Sequence, residues 1–350
     1  MNIKSLLLGS VASLLAVSGS EAADAIVAAE PEPMEYVRVC DAFGTGYFYI
    51  PGTETCLKVG GYVRFQVNFD EDTFGDDDWD AFTRGRLAVT AKSDTELGEL
   101  TGFIAIHGDA SEGDLETALG SVTGEDQFYF DEVYLQLGGF KAGTYLNWWD
   151  ANDLPGELDD LGSNRLTSIA YIYTGIAFTA GIQLDELSSA DVIVDGAGDL
   201  VGADLDQELG LEAVVQVSLG PAALELLGSY DFGNEEGAVR VIGSADLGPG
   251  TFYLSGIHST GANVYYSSAE WTVAAAYAWN ATEKLQVIPE FQYFWSSEVG
   301  ADGEFGGDDF WAAGATVNYT ITEGLTSKVA VNYSDSDENW GGLFRLQRDF

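Results

Sequence analysis

The chain has 350 residues, with 14 Lys and Arg against 57 Asp and Glu and a formal charge of −43. That balance excludes a nucleic-acid partner, because phosphate contact needs clustered Lys and Arg. Two Cys and two His leave no zinc cluster and no disulfide scaffold, so neither a metal nor a cofactor is expected, while 46% hydrophobic residues exclude general disorder.

The chain opens on a secretory signal over residues 1–22. Lys4 supplies the positive end, Leu6 to Val17 the apolar stretch, and Ser20-Glu21-Ala22 the small residues at the cleavage site. About twelve mostly apolar residues cannot cross a membrane core that needs ~20. No later stretch approaches a membrane helix, so any crossing must use strands. Residues 23–56 form a periplasmic lead that begins with a Pro-containing segment. Cys40 and Cys56 bracket its turn-rich end and should pair in an oxidising compartment, stabilising the loop by roughly 3 kcal/mol.

From residue 57 to 350 the pattern is period two. In 62–69, Val63, Phe65, Val67 and Phe69 alternate with Tyr62, Arg64, Gln66 and Asn68, which puts the two sets on opposite faces of a strand. The same split recurs at Leu209, Leu211, Ala213, Val215 and Val217 against Glu208, Glu212, Gln216 and Ser218. Strands are predicted near 57–69, 79–92, 97–108, 126–138, 140–148, 164–174, 175–184 and 206–219. The second half continues near 222–231, 237–246, 250–258, 268–279, 283–297, 308–321, 324–334 and 341–350. Pro289 cannot donate to a ladder and marks an expected bulge.

Tight Gly-containing turns alternate with longer acidic segments at 70–78, 109–125, 149–163 and 185–205. Short turns at one rim and long loops at the other fit a membrane barrel, whereas a soluble sandwich does not sort its loops this way. One strand checks the depth. Trp271, Val273, Ala275, Tyr277 and Trp279 form its outward set, and eight steps at ~3.3 Å give ~26 Å. At ~40° tilt that is roughly 20 Å of depth, with a Trp ring at each interface. The fold class is therefore all-β, a 16-stranded antiparallel transmembrane barrel.

The run CDAFGTGYFYIPGTETCLKVGGYVR at 40–64 closely resembles the N-terminal signature of the alphaproteobacterial general porins. TRGRLAVTAKSDTELGEL at 83–100 is similar to that family's next segment, and GGFKAGTYLNWWD at 138–150 to the stretch entering its third loop. The chain ends on Phe350, with Leu346 and Phe344 at alternating positions, as barrel-assembly signals do. The resemblance implies a homotrimer in the outer membrane, among its lipids and lipopolysaccharide. Each barrel would be a passive pore for small hydrophilic solutes and ions, narrowed by an inward third external loop.

A pore works through charges at its narrowing. Alternation puts Arg64, Arg84 and Arg86 on the inner face, either as a basic wall or as partners of lumen carboxylates; the sequence leaves both open. Opposite them the resemblance places the third loop with Asp150, Asp153, Glu157, Asp159 and Asp160. Glu132, Glu208, Glu212 and Glu290 also face inward, against Lys92 and Lys328 besides the arginines, so the expected preference is for cations. A sugar-specific channel would want an aromatic slide, and Tyr62 and Tyr134 make no obvious series. An outer-membrane esterase would need a Ser–His pair, but His107 and His258 lie in no GxSxG context.

Overall fold

The computed structural model describes residues 38–70, 79–110, 114–115, 122–123, 128–158, 160–162, 164–194, 200–300, 303–336 and 338–350. The predicted signal at 1–22 and most of the lead lie outside these residues.

Sixteen strands close into one antiparallel barrel. They are β1 (Cys56–Asp70), β2 (Trp79–Thr95), β3 (Gly98–Ala110), β4 (Phe128–Leu137), β5 (Phe140–Leu146), β6 (Arg165–Thr174), β7 (Phe178–Val194) and β8 (Leu200–Ser218). The second half is β9 (Ala222–Asp231), β10 (Glu236–Leu247), β11 (Gly250–Ser259), β12 (Trp271–Asn280), β13 (Leu285–Trp295), β14 (Phe310–Thr322), β15 (Leu325–Ser334) and β16 (Asn339–Asp349). Each strand pairs with its neighbours in sequence, and β16 returns to β1 from Tyr62↔Asp349 to Asp70↔Gly341. Closure leaves no open sheet edge in the wall, so every strand finds a partner without water, as a lipid environment demands. The connections β2–β3, β4–β5, β6–β7, β8–β9, β10–β11, β12–β13 and β14–β15 are tight and share a rim with the C-terminus.

The faces follow the alternation. Val63, Phe65, Leu87, Ile104, Leu224, Leu226, Val239 and Val241 are exposed on the outer wall. Trp271 and Trp279, at the two ends of β12, are 51% and 44% exposed there. Such a surface suits lipid. Inside, the core is a cluster around Trp149, Leu161, Leu187, Val214, Leu227, Ile257, Tyr265 and Tyr266. It is built by residues 147–164 and 260–270 packing on the inner face of the wall.

Two sequence expectations need correction. The stretch 185–205, predicted as a long loop, is mostly ladder: β7 and β8 pair from Phe178↔Val217 out to Val194↔Leu200. Its acidic residues, Asp185, Glu186, Asp191, Asp195, Asp199 and Asp204, interrupt the apolar alternation and hid the strand pattern. Pro289 makes no bulge. Ala276↔Glu290 and Trp279↔Val287 keep one register across it, and on its other side it pairs with Ala315. The proline drops pairings locally without shifting the strand.

At the terminal rim, Cys40 and Cys56 form a disulfide with Cα atoms 6.0 Å apart. A short strand, Phe48–Tyr49, adds to the start of β1 through Phe48↔Leu57 and Tyr49↔Cys56. Phe43, Tyr47 and Tyr49 pack around the buried bridge.

Candidate pore lining and third loop

Residues 147–164 join β5 to β6. They open with a single turn, α1 (Trp148–Ala151), because the Asn147 side chain accepts from the Asp150 N–H at 3.3 Å. The segment then crosses to distant strands on the inner face. Arg240 of β10 donates to the carbonyls of Trp149 (2.7 Å), Trp148 (2.8 Å), Leu161 and Asn152 (both 3.2 Å). The Glu290 carboxylate of β13 accepts the Glu157 and Leu158 N–H groups, each at 2.8 Å. Gln292 donates to the Leu158 carbonyl at 3.0 Å. At the tip, the Glu157 carboxylate pairs with Lys328 of β15 and, at 3.3 Å, with Arg345 of β16.

Two glycines permit this path. Gly162 has φ +92°, and a Cβ there would lie 2.7 Å from the Tyr265 carbonyl and 2.8 Å from the Trp149 ring. Gly156 has φ +122°, and its Cβ would collide with the Glu290 carboxylate. Any side chain at either position would push the loop off the wall. Behind the loop, the Tyr265 hydroxyl donates to Asp185 at 2.6 Å. Burial, reinforced at Tyr265 by the nearby Asp185 carboxylate, pushes the Tyr265 and Tyr266 hydroxyls well above the ordinary tyrosine range, so both stay protonated.

The arginines divide. Arg64 and Arg84 are directly opposed on β1 and β2, so they stand at one depth. Arg84 grips Asp109 through two contacts of 2.6 Å. Arg86 meets Asp131 at 3.0 Å and Glu132 at 3.2 Å, and Arg165 joins Asp131 at 2.9 Å. Both arginines thus neutralise inner carboxylates. Arg64 instead donates through Nε to Gln347 at 2.8 Å and lies 4.7 Å from the Tyr62 ring centre. Among the described residues it makes no ion pair.

The acids are dispersed. Glu157 is bonded to cations and does not face them across an opening. Asp153 accepts from the Leu154 N–H at 2.8 Å and lies with Asn152 beside Gln216, Glu225 and Tyr253. Asp150 sits in α1, and Asp160 near Asp70, Asn332 and Asn339. Asp159 lies outside the described residues. Glu212 is fully buried and Glu290 is 5% exposed, so neither presents its charge to open lumen. Lys92 is held by Glu99 at 2.6 Å near the terminal rim.

Three residues escaped the sequence reading. Arg240 and Arg345 were legible as inward positions, flanked by outward Val239 and Val241 and by Phe344 and Leu346, but nothing marked them as loop contacts. Asp131 by strict alternation would face lipid; the signal was the Asp-Glu pair itself. The two histidines lie on opposite faces. His107 is inside, 3.3 Å from the Tyr62 hydroxyl and 3.2 Å from that of Tyr129. His258, on the opposite parity of β11, stacks on outward Trp271 with centroids 4.1 Å apart.

Residues 24–347 match the family described as the porin subfamily. The chain is 43% identical to outer membrane protein IIIA of Rhizobium leguminosarum bv. viciae, covering 98% of this chain and 93% of that protein. It is 33% identical to porin Omp2b of Brucella suis over 100% of both chains. Among solved structures it is similar to the outer membrane channel DcaP of Acinetobacter baumannii, with TM-score 0.61, 14% identity, and 86% and 99% of the two chains covered. A triple mutant of Rhodopseudomonas blastica porin gives TM-score 0.57 at 14% identity, over 84% and 100%. At such identity the structural likeness speaks to fold alone.

Proposed function

The chain belongs to the porin subfamily, outer-membrane barrel channels and not enzymes, and from that premise we propose that it is a passive, water-filled pore for small hydrophilic solutes and ions. The observation that carries the reading is segment 147–164. It leaves the wall at β5 and is bonded to β10, β13, β15 and β16 on the inner face, which supports reading it as the narrowing of an open passage. The inner face of β1 to β4, with Arg64, Arg84 and Arg86, bounds the remaining passage.

In this reading the pore prefers cations, and the preference arises at the external mouth. Glu157 is neutralised, and Glu212 and Glu290 are buried, so the loop and wall contribute less than their sequence suggests. The segment 71–78, which follows β1 in sequence, carries five acids. The working unit is a homotrimer seated in lipid and lipopolysaccharide, after removal of residues 1–22. An aromatic sugar slide is disfavoured. Phe103, Tyr134 and Tyr145 do cluster, but the Lys141 ammonium lies 4.2 Å from the Tyr134 ring centre and 3.5 Å from that of Tyr145, covering ring surface a sugar would use.

Liposome swelling tests the reading. Small sugars should enter at rates that fall smoothly with size and do not saturate. Saturation with one sugar would favour a specific channel. Light scattering in mild detergent should give three chains per particle; a single chain would contradict the trimer.

A further inference from the structure

We propose that Arg240 is the positioning residue that sets the bore of the pore, by tying both limbs of the third loop to one wall strand. The inference rests on reading that loop as the narrowing. Arg240 is fully buried, on the inner face of β10 between outward Val239 and Val241. Its Nη1 donates to the Trp149 carbonyl on the outgoing limb and to the Leu161 carbonyl on the returning limb. Its Nη2 serves Trp148 and Asn152, and meets Glu225 at 3.3 Å. The guanidinium carbon lies 5.0 Å from the Trp149 ring centre.

The chemistry explains why the residue is arginine. A single helical turn has no following turn whose N–H groups could fill its carbonyls, so Trp148, Trp149 and Asn152 present acceptors toward the wall. One planar fork of donors reaches these and Leu161 together, where an ammonium would reach part of the set. Glu225 balances the buried charge. The tip contacts, by contrast, touch only residues 157 and 158, and at the base the limbs are joined by the Asn147 N–H donating to the Asn164 carbonyl at 2.9 Å. Between base and tip, Trp149 and Leu161 pack together and Arg240 adds the polar tie. Removing Arg240 therefore leaves base and tip attached and loosens the limbs between them, so that this middle part of the loop can shift into or away from the passage.

The test uses Arg240→Met and Arg240→Lys in the full-length protein. Barrel formation is scored by heat-modifiable mobility, and the lysine variant decides if the methionine variant does not fold. Two readouts separate the proposal from the reading it rests on. Amide hydrogen exchange over 148–161 should speed up about tenfold, while the wall strands keep their protection. In planar bilayers, open-channel noise should increase and larger sugars should enter liposomes than enter with the unaltered protein. Unchanged exchange in a folded variant overturns the anchoring role and leaves the pore reading intact. Faster exchange with unchanged noise and size limit means the loop does not set the bore, and overturns the proposal through its premise.

Discussion

Asp131 and Glu132 are adjacent in sequence, yet both carboxylates meet Arg86 inside the barrel. The ladder between β3 and β4 shifts register there, from Ala105↔Glu132 to Ile106↔Phe130, leaving Asp131 as the extra residue. A bulge of this kind turns two consecutive side chains to one face. Without it one carboxylate would face lipid, at a cost a barrel does not bear unpaired.

This predicts opposite effects from two substitutions. Asp131→Asn leaves Arg86 with Glu132 alone and Arg165 without its ion-pair partner, so the zero-current potential should shift toward chloride. Arg86→Gln should shift it toward potassium. The shifts should be largest near ~0.1 M salt, where the Debye length is ~10 Å. Because Asp131 is largely buried, its loss should also cost about 1–3 kcal/mol in unfolding. Equal potentials for the two variants would remove the assignment.

The tip contacts differ in strength, and recordings should rank them. Glu157 forms partly exposed ion pairs, worth roughly 0.2–1 kcal/mol each. Glu290 satisfies two loop N–H groups, and Glu290→Ala strands both at about 1–3 kcal/mol apiece if they stay dry. Glu157→Gln should therefore move selectivity toward chloride with little added noise, while Glu290→Ala adds noise. The reverse ranking would show that the ion pairs hold the tip.

Replacing Cys40 and Cys56 by Ser should lower the unfolding temperature without preventing barrel formation. The bridge closes a short terminal loop, for which roughly 3 kcal/mol is expected, and it lies at the end of β1 where the strand is not yet paired to β16. Non-reduced digests should show the linked peptides. Loss of the barrel in the double variant would mean that this loop nucleates assembly.

Neutralising Glu71, Asp72, Asp76, Asp77 and Asp78 together should bring the zero-current potential toward zero at ~0.1 M KCl. At ~1 M the Debye length is ~3 Å, and the variant and the parent should converge. A shift that persists at high salt would place the selectivity deeper in the pore.

The strand count, the faces and the even closure were legible because a wall between lipid and water writes its two solvents into alternate residues. Val63 and Arg64 show it in one dipeptide. The signal failed where that alternation broke. Over 185–205, acidic residues interrupt the alternation, and the outer parts of β7 and β8 looked like loop. The third loop was legible only as a match to a family segment. Its contacts depend on which strands curl opposite β5, and Arg240 lies about ninety residues away in sequence from the carbonyls it holds. Local pattern cannot carry a pairing that closure of the whole barrel creates.

The central claim is that the barrel holds a continuous aqueous path, and single-channel current in planar bilayers tests it most directly. The account predicts discrete, long-lived steps whose conductance rises nearly in proportion to KCl above ~0.5 M, where the charges are screened to within ~5 Å. Absence of steps from protein that is folded and inserted, or conductance that saturates with salt as at a binding site, would contradict it.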